Sequence, residues 1–359
     1  MKKRILAILA CVCLVAGLLA ACGDSSTTTT TAADSTEAGD TTEAAAKPDK
    51  VYTLTVTQHD PEASATGTFL NAWKERVEEA SGGALEINIY HGGTIAGPKD
   101  SIDAVKNGTV DIAWGLQSFY DGLFPATEVF MLPLIDITSA PQGSEAIWNF
   151  YNNTDYMDAE YADYHVLFLH TNCQSPLSLS AKSSVTKIET LDDFAGLNIR
   201  GNAGPPNMFL TELGATPVGC SINDLYKNLE TAEMDGCLTD WHGISSFKLD
   251  EVIGSYLDEN IGVSTYFMLM NPDSYAALPE DLQKILDDTT AECADLTSAW
   301  DDVETEIKAA VADKCYKLSD DQRAALEEAA DRTIQAWIDK TENGQEIYDK
   351  AMAEIEAAK

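Results

Sequence analysis

The chain has 359 residues, 45% of them hydrophobic, enough for one or two ordinary domains with a sizeable core. Twenty-three Lys and Arg oppose 59 Asp and Glu, a net charge of −36 that excludes nucleic acid and anionic lipid headgroups as partners. An anionic ligand must therefore be drawn in by a local cation, and arginine is scarce: Arg4, Arg76, Arg200, Arg323 and Arg332 are the whole set.

Met1 to Ala21 reads as an export signal. Lys2-Lys3-Arg4 precedes an apolar run over 5–21, short of the ~20 residues a spanning helix needs. Removing it takes away three cations and no acid, deepening the net charge to −39. Leu19-Ala20-Ala21-Cys22 resembles the bacterial lipobox, in which the cysteine is acylated and becomes the new N-terminus. A plain secretory signal with an incidental cysteine is the alternative. Residues 23–50 hold no large apolar side chain and cannot offset their ordering entropy, which predicts a disordered tether over 22–50. Beyond Cys11, Cys13 and Cys22, five irregularly spaced cysteines remain: Cys173, Cys220, Cys237, Cys293 and Cys315. That pattern argues against a full disulfide framework and leaves open whether any two pair.

From Val51 the chain alternates strand and helix. Residues 51–59 have period two, and Phe69, Leu70, Trp73 and Val77 give helical spacing over 66–80, stopped by Gly82-Gly83. A strand over 85–90, a helix from Pro98 through Val105 and a strand over 110–114 follow. Further on, strands are expected over 164–170, 197–200, 237–239 and 264–270, with helices over 206–213 and 222–233. From Pro279 the pattern is helical, with Leu282, Ile285, Leu286, Leu296, Trp300, Val303 and Ile307, then Leu326, Ile334, Trp337 and Ile338. This interleaving predicts an α/β fold without internal repeats.

Arg200 ends the strand L-N-I-R and is followed by glycine, so its planar fork of donors stands at a strand end, where backbone can approach a ligand. Internal ion pairing is the competing role for a buried arginine. Catalytic motifs are absent: there is no G-x-S-x-G, G-x-G-x-x-G, P-loop or H-E-x-x-H, and His91-Gly92-Gly93 reads as a turn. His170, Cys173, Cys237 and His242 could together suggest zinc, but their spacing is looser than zinc sites use.

The run 191–241 carries a resemblance. Asp193, Gly196 and Arg200 fall on a D-L-x-G-x-x-x-R motif, and Gly214 and Pro217 on G-A-x-P. Tyr226 and Leu229 fall on L-Y-x-x-L, and Asp235 and Gly236 on D-G. In this order they resemble the solute-binding proteins of TRAP transporters, the DctP-like family, and weaker similarity runs from about Val51 to the C-terminal helices. The resemblance implies a two-lobed periplasmic-binding-protein-like α/β fold with a hinge and long C-terminal bracing helices. Its divisions would be lobe 1 over 51–171 with a return segment at 263–300, lobe 2 over 172–262, and a helical brace over 301–359. Residues 123–137 look like the family's structural crossover.

For function it implies an extracytoplasmic protein, lipid-anchored through Cys22 to the outer face of the cell membrane. Such a protein captures an organic acid anion and delivers it to an ion-gradient-driven TRAP permease. No catalysis, cofactor or metal is implied, and a monomer is expected. Arg200 would grip the carboxylate and Trp241 would form a cleft wall. Thr239 stands where many members carry asparagine. Phe209 offers a second apolar wall, and His170, Asn172, Gln117 and Tyr120 are candidates for polar lining. A core role competes for Trp241. Many members carry a second arginine upstream, but residues 171–182 contain none, and Lys182 and Lys187 lie on a polar segment. A monocarboxylate with a partly apolar body is therefore expected. The alternatives are a sensor-input receptor with the same pocket and a tethered zinc enzyme.

Overall fold

The computed structural model describes Pro48, residues 50–172 and residues 174–359. The expected export signal, Cys22, residues 23–47 of the expected tether and Cys173 lie outside the described residues.

The chain opens with β1 (Tyr52–Thr57), α1 (Ala65–Ala80), β2 (Leu85–Tyr90), α2 (Ser101–Lys106), β3 (Ile112–Leu116), α3 (Ala140–Asn153) and β4 (His165–Thr171). It continues through β5 (Ser175–Ser180), β6 (Asn198–Arg200), α4 (Pro205–Glu212), β7 (Thr216–Val218), α5 (Ile222–Glu230), β8 (Gly236–Leu238), α6 (Trp241–Ser246) and β9 (Ile253–Gly262). After β10 (Thr265–Met270) come α7 (Pro272–Ala276), α8 (Glu280–Ala291), α9 (Ser298–Ala310), β11 (Cys315–Tyr316), α10 (Asp320–Lys340) and α11 (Gly344–Ala357).

Two sheets result, and with their helices they make two α/β lobes. The first has strand order β2-β1-β3-β10-β4, parallel from β2 to β3 and antiparallel where β10 enters. The second has order β11-β9-β5-β8-β6-β7. Helix α1 shows why the first lobe holds. Ser64 caps it by accepting from Gly67 N, and Phe69, Leu70, Trp73 and Val77 are all fully buried along one stripe. Each such burial contributes about 1.5–3 kcal/mol. The Trp73 indole finds Thr290 Oγ1 at 2.9 Å, so its N–H is not left without a partner.

The chain passes directly from one sheet to the other at two adjacent places, β4 to β5 and β9 to β10, and once more through α7, α8 and α9 from β10 to β11. Asn172 N donates to Ser264 O at 3.2 Å, and Ser264 N donates to Asn172 Oδ1 at 2.8 Å. These bonds tie the crossovers side by side, leaving a narrow two-stranded joint. Helices α9 and α10 each serve two cores. Trp300 packs with the α1 cluster while Ile307 packs with Trp241 and Tyr256. Likewise Leu326, Ala329 and Ala330 pack on Ile199 and Leu177, whereas Trp337 packs with Phe130 and Ile147 and donates to Glu128 Oε2 at 3.1 Å.

Three elements depart from the sequence expectations. Helix α3 was not anticipated, because its Pro141, Gly143 and Gln142 break the apolar period. Gly143 is needed there, since a Cβ would lie 2.2 Å from Thr171 Oγ1 where α3 crosses β4. Strand β5, sequence S-P-L-S-L-S, is fully buried although half of it is serine, and Ser180 Oγ satisfies itself on Leu229 O at 2.7 Å. Strand β9 carries Glu259 at 7% exposure, an acid tolerated because Arg323 of α10 donates to it at 2.6 Å. Two ends also shift: α2 starts at Ser101 rather than Pro98, and α5 stops at Glu230, before Ala232 turns with φ 58°.

Candidate functional site

Arg200 is the last residue of β6, paired with Cys237 of β8 on one side and Val218 of β7 on the other. It therefore sits at the carboxyl ends of parallel strands, where open α/β sheets place their ligands. Gly201 follows, and a Cβ there would lie 2.1 Å from Asn207 Oδ1 and 3.0 Å from Leu210 Cδ1, so glycine lets these α4 side chains pack over the strand end as they are placed. Arg200 as a whole is 3% exposed. Nη1 donates to Thr239 Oγ1 at 3.2 Å and Nε to Cys220 O at 3.4 Å, both neutral acceptors. Among the described residues Nη2 has no acceptor, and no carboxylate lies within 4.0 Å. Burial accordingly pushes the group's pKa down from its ordinary value.

Arg200 lines both a small inner pocket of about 40 Å³ and a wider groove of about 550 Å³. Leu116, Phe119, Ile222 and Phe247 give the inner pocket apolar surface, and Ser264 and Tyr266 bring the crossover and β10 to it. Its remaining wall is ionisable. His59 and Asp60 come from the loop after β1, Asp240 and His242 from the start of α6. His242 Nε2 stands 3.8 Å from Asp60 Oδ2 and its Nδ1 3.7 Å from Asp240 Oδ2, while His59 Nε2 is 3.6 Å from Asp60 Oδ1. Asp240 caps α6 through Gly243 N at 3.2 Å and accepts from Tyr266 OH at 3.2 Å. Burial works against charge on His242, but the flanking Asp240 and Asp60 raise its pKa above the ordinary value. His59 goes the other way, lowered chiefly by burial.

The residues expected from sequence divide. Arg200 and Thr239 meet in the inner pocket. Asn172 is at the crossover, holding Ser264. The others stand behind the walls. Trp241 is 1% exposed and packs on Tyr256 with ring centroids 5.1 Å apart, because α6 turns its first side chain into the core. Phe209, 1% exposed, points from α4 into the cluster around Ile199. Gln117 donates to Tyr161 OH at 3.1 Å, and Tyr120 reaches Ser101 Oγ and Pro98 O. His170 stacks behind Tyr266 and accepts from Trp114 Nε1 at 2.8 Å. His170 Nε2 is thereby occupied, and no group of three His, Cys, Asp or Glu among the described residues is disposed to hold a metal ion; Cys173 of the zinc alternative lies outside them. Cys220, Cys237, Cys293 and Cys315 are free thiols. Lys182 and Lys187 are exposed and line neither cavity. Sequence reasoning missed His59, Asp60, Phe119 and Asp240 altogether. Their signal was positional, since His59 ends the expected first strand and Asp60 follows it, while Asp240 follows the 237–239 strand.

Two α/β lobes hinged by paired crossovers, with a ligand-sized cleft at their strand ends, are the architecture of periplasmic binding proteins. The chain belongs to the bacterial extracellular solute-binding protein family 7, DctP, whose model matches residues 56–352. It is 25% identical over 311 residues to the ectoine-binding periplasmic protein TeaA of Halomonas elongata, covering 82% of this chain and 88% of that one. A TRAP solute-binding protein from Rhodoferax ferrireducens, solved with copurified benzoate, is 26% identical with a TM-score of 0.78, covering 86% of this chain and 98% of that one. A marine metagenome TRAP solute-binding protein, solved with 3-hydroxybenzoate, has a TM-score of 0.79 at 24% identity, covering 86% and 99%. Members of the family are extracytoplasmic solute-binding proteins, components of transport rather than enzymes.

Proposed function

We propose that this protein captures an organic monocarboxylate, holding the carboxylate on Arg200, and delivers it to an ion-gradient-driven TRAP permease. The observation that carries the reading is the state of Arg200: buried, without a carboxylate partner, and with Nη2 unspent. A guanidinium desolvated in that way leaves a charge that a ligand carboxylate would neutralise through a bidentate pair. Support comes from the ectoine-binding and benzoate-bound relatives. The lean to one carboxylate rests on the lining: Arg200 is the inner pocket's one arginine or lysine, whereas Asp60 and Asp240 would repel a second anion. Leu116, Phe119, Ile222 and Phe247 suit an apolar body.

The division into lobe 1 over 51–171 with 263–300, lobe 2 over 172–262 and a brace over 301–359 belongs to the same proposal, with closure by bending at the crossovers near 171 and 263. So does anchoring by an acylated Cys22, in a monomer that neither turns over its ligand nor needs a cofactor or metal. Among the described residues no helix is long and apolar enough to cross a membrane. The test is a calorimetric screen of organic acids, with mass spectrometry of whatever copurifies. Tight binding of a monocarboxylate is expected. Tight binding of succinate or malate with no monocarboxylate bound would overturn it.

A further inference from the structure

The inner wall opposite Arg200 holds polar groups that the capture of a carboxylate leaves unused. His242 is 4% exposed and its Nε2 has no hydrogen-bond partner. Asp60, 3% exposed, faces it from the other lobe, with 3.8 Å between Nε2 and Oδ2, too long for a direct hydrogen bond. Asp60 Oδ2 takes one bond, from Thr66 Oγ1 at 2.7 Å, and keeps a lone pair. Both side chains line the inner pocket, together with His59, Asp240 and Tyr266. A buried donor and a buried acceptor thus lie side by side on the pocket wall, too far apart to bond and too close to hold an atom between them, and neither is satisfied by the other.

We propose that this wall selects a hydroxyl group, so that the captured acid is a hydroxy acid whose hydroxyl bridges His242 Nε2 and Asp60 Oδ2. The inference rests on the reading of Arg200 as the carboxylate partner. An oxygen placed at ~2.8 Å from both atoms subtends roughly 85° between them, within reach of a hydroxyl that donates one bond and accepts another. Its chemistry fits both sides. Carboxylates flank both nitrogens of His242, at 3.7 and 3.8 Å, which favours the doubly protonated ring and makes Nε2–H a donor seeking an acceptor. Asp60 is an acceptor seeking a donor. A hydroxyl answers both, an ammonium answers only Asp60, and a second carboxylate would meet two like charges. A plain acid answers neither, leaving Nε2 with no partner and Asp60 Oδ2 with Thr66 alone. Because Asp60 belongs to the loop after β1 and His242 to α6, the bridge also joins the two lobes over the closed ligand.

The test is titration calorimetry on the full exported protein with three matched series: propionate, lactate and alanine; phenylacetate, mandelate and phenylglycine; benzoate, 3-hydroxybenzoate and 3-(aminomethyl)benzoate. In the series that binds, the hydroxy acid should bind about tenfold or more tighter than its parent, the cost of leaving one buried polar group unpaired. The ratio should fall within about threefold in His242→Phe and in Asp60→Leu, the second variant covering the case in which the first fails to fold. Parent and hydroxy acid binding equally in the wild type would overturn the proposal, as would a zwitterion binding tighter than the hydroxy acid. If no acid in any series binds, the reading of Arg200 falls with it; if parents bind and hydroxyls add nothing, only this inference falls.

Discussion

Replacing Arg200 by methionine separates a ligand-binding arginine from a structural one. Were the guanidinium part of an internal ion pair, removing it would strand a buried carboxylate and cost about 3–5 kcal/mol. In a chain of this size that lowers the melting temperature by on the order of 5–10 °C. The structure holds no such partner: Arg200 spends its donors on Thr239 Oγ1 and Cys220 O, at 3.2 and 3.4 Å, and is 3% exposed. Two long charge-assisted bonds to neutral acceptors, about 1.5 kcal/mol each, are lost, offset by removing a desolvated charge. The ligand-free melting temperature of Arg200→Met should therefore fall by no more than ~3 °C. Ligand affinity should behave differently, dropping by about 2–5 kcal/mol, or roughly 30- to 4000-fold, with loss of the ligand-induced rise in melting temperature. Arg200→Lys keeps the charge but loses the fork, so about 10- to 150-fold is expected. Scanning calorimetry without ligand and titration calorimetry with it give both numbers. A ligand-free melt lowered by ~10 °C, with affinity retained within about threefold, would refute the reasoning.

Three further outcomes are expected. Cys22→Ser should release the protein from the membrane fraction, since one acyl chain binds only marginally and a two-chain lipid on Cys22 is the anchor sequence reading supplies; unchanged membrane association counts against it. Saturating ligand should reduce the radius of gyration in small-angle scattering as the lobes bend at the crossovers, and an unchanged radius argues for a rigid cleft. His170 gives a pH dependence. Burial depresses its folded pKa to about 3 from 6.5, so the unfolded chain takes the proton first. Its contribution to stability is complete above about 6.5 and is lost as pH falls through that window toward 3. His170→Gln, which can still accept from Trp114 Nε1, should flatten the acid limb of the urea midpoint against pH; an identical limb would show that His170 does not titrate there.

Strands β1 and β2, helix α1 and the position of Arg200 were legible in the sequence because each rests on a local rule: period two, period 3.6, and a cation at a strand end before glycine. In the joint between lobes, whose place near 171 and 263 followed from the family resemblance, the strands themselves were not. Its strands β5 and β9 bury serines and Glu259, and their partners, Leu229 O and Arg323, lie 49 and 64 residues away. The pocket walls failed for a related reason. Trp241 and Phe209 have the right chemistry for an apolar wall, but the direction of a helical side chain depends on how the helix docks. Both α6 and α4 turn these rings into their own cores. The aromatic surface comes instead from Phe119 and Phe247, and the polar surface from His59 and Asp60, which become neighbours of Arg200 only when the lobes are brought together.

A crystal structure of the protein with its copurified or best-binding acid tests the central claim most directly. The account expects both carboxylate oxygens at about 2.7–2.9 Å from the guanidinium of Arg200, one of them on Nη2. A bound ligand that lacks a carboxylate, or one whose carboxylate lies elsewhere and leaves Nη2 without a partner, would contradict it.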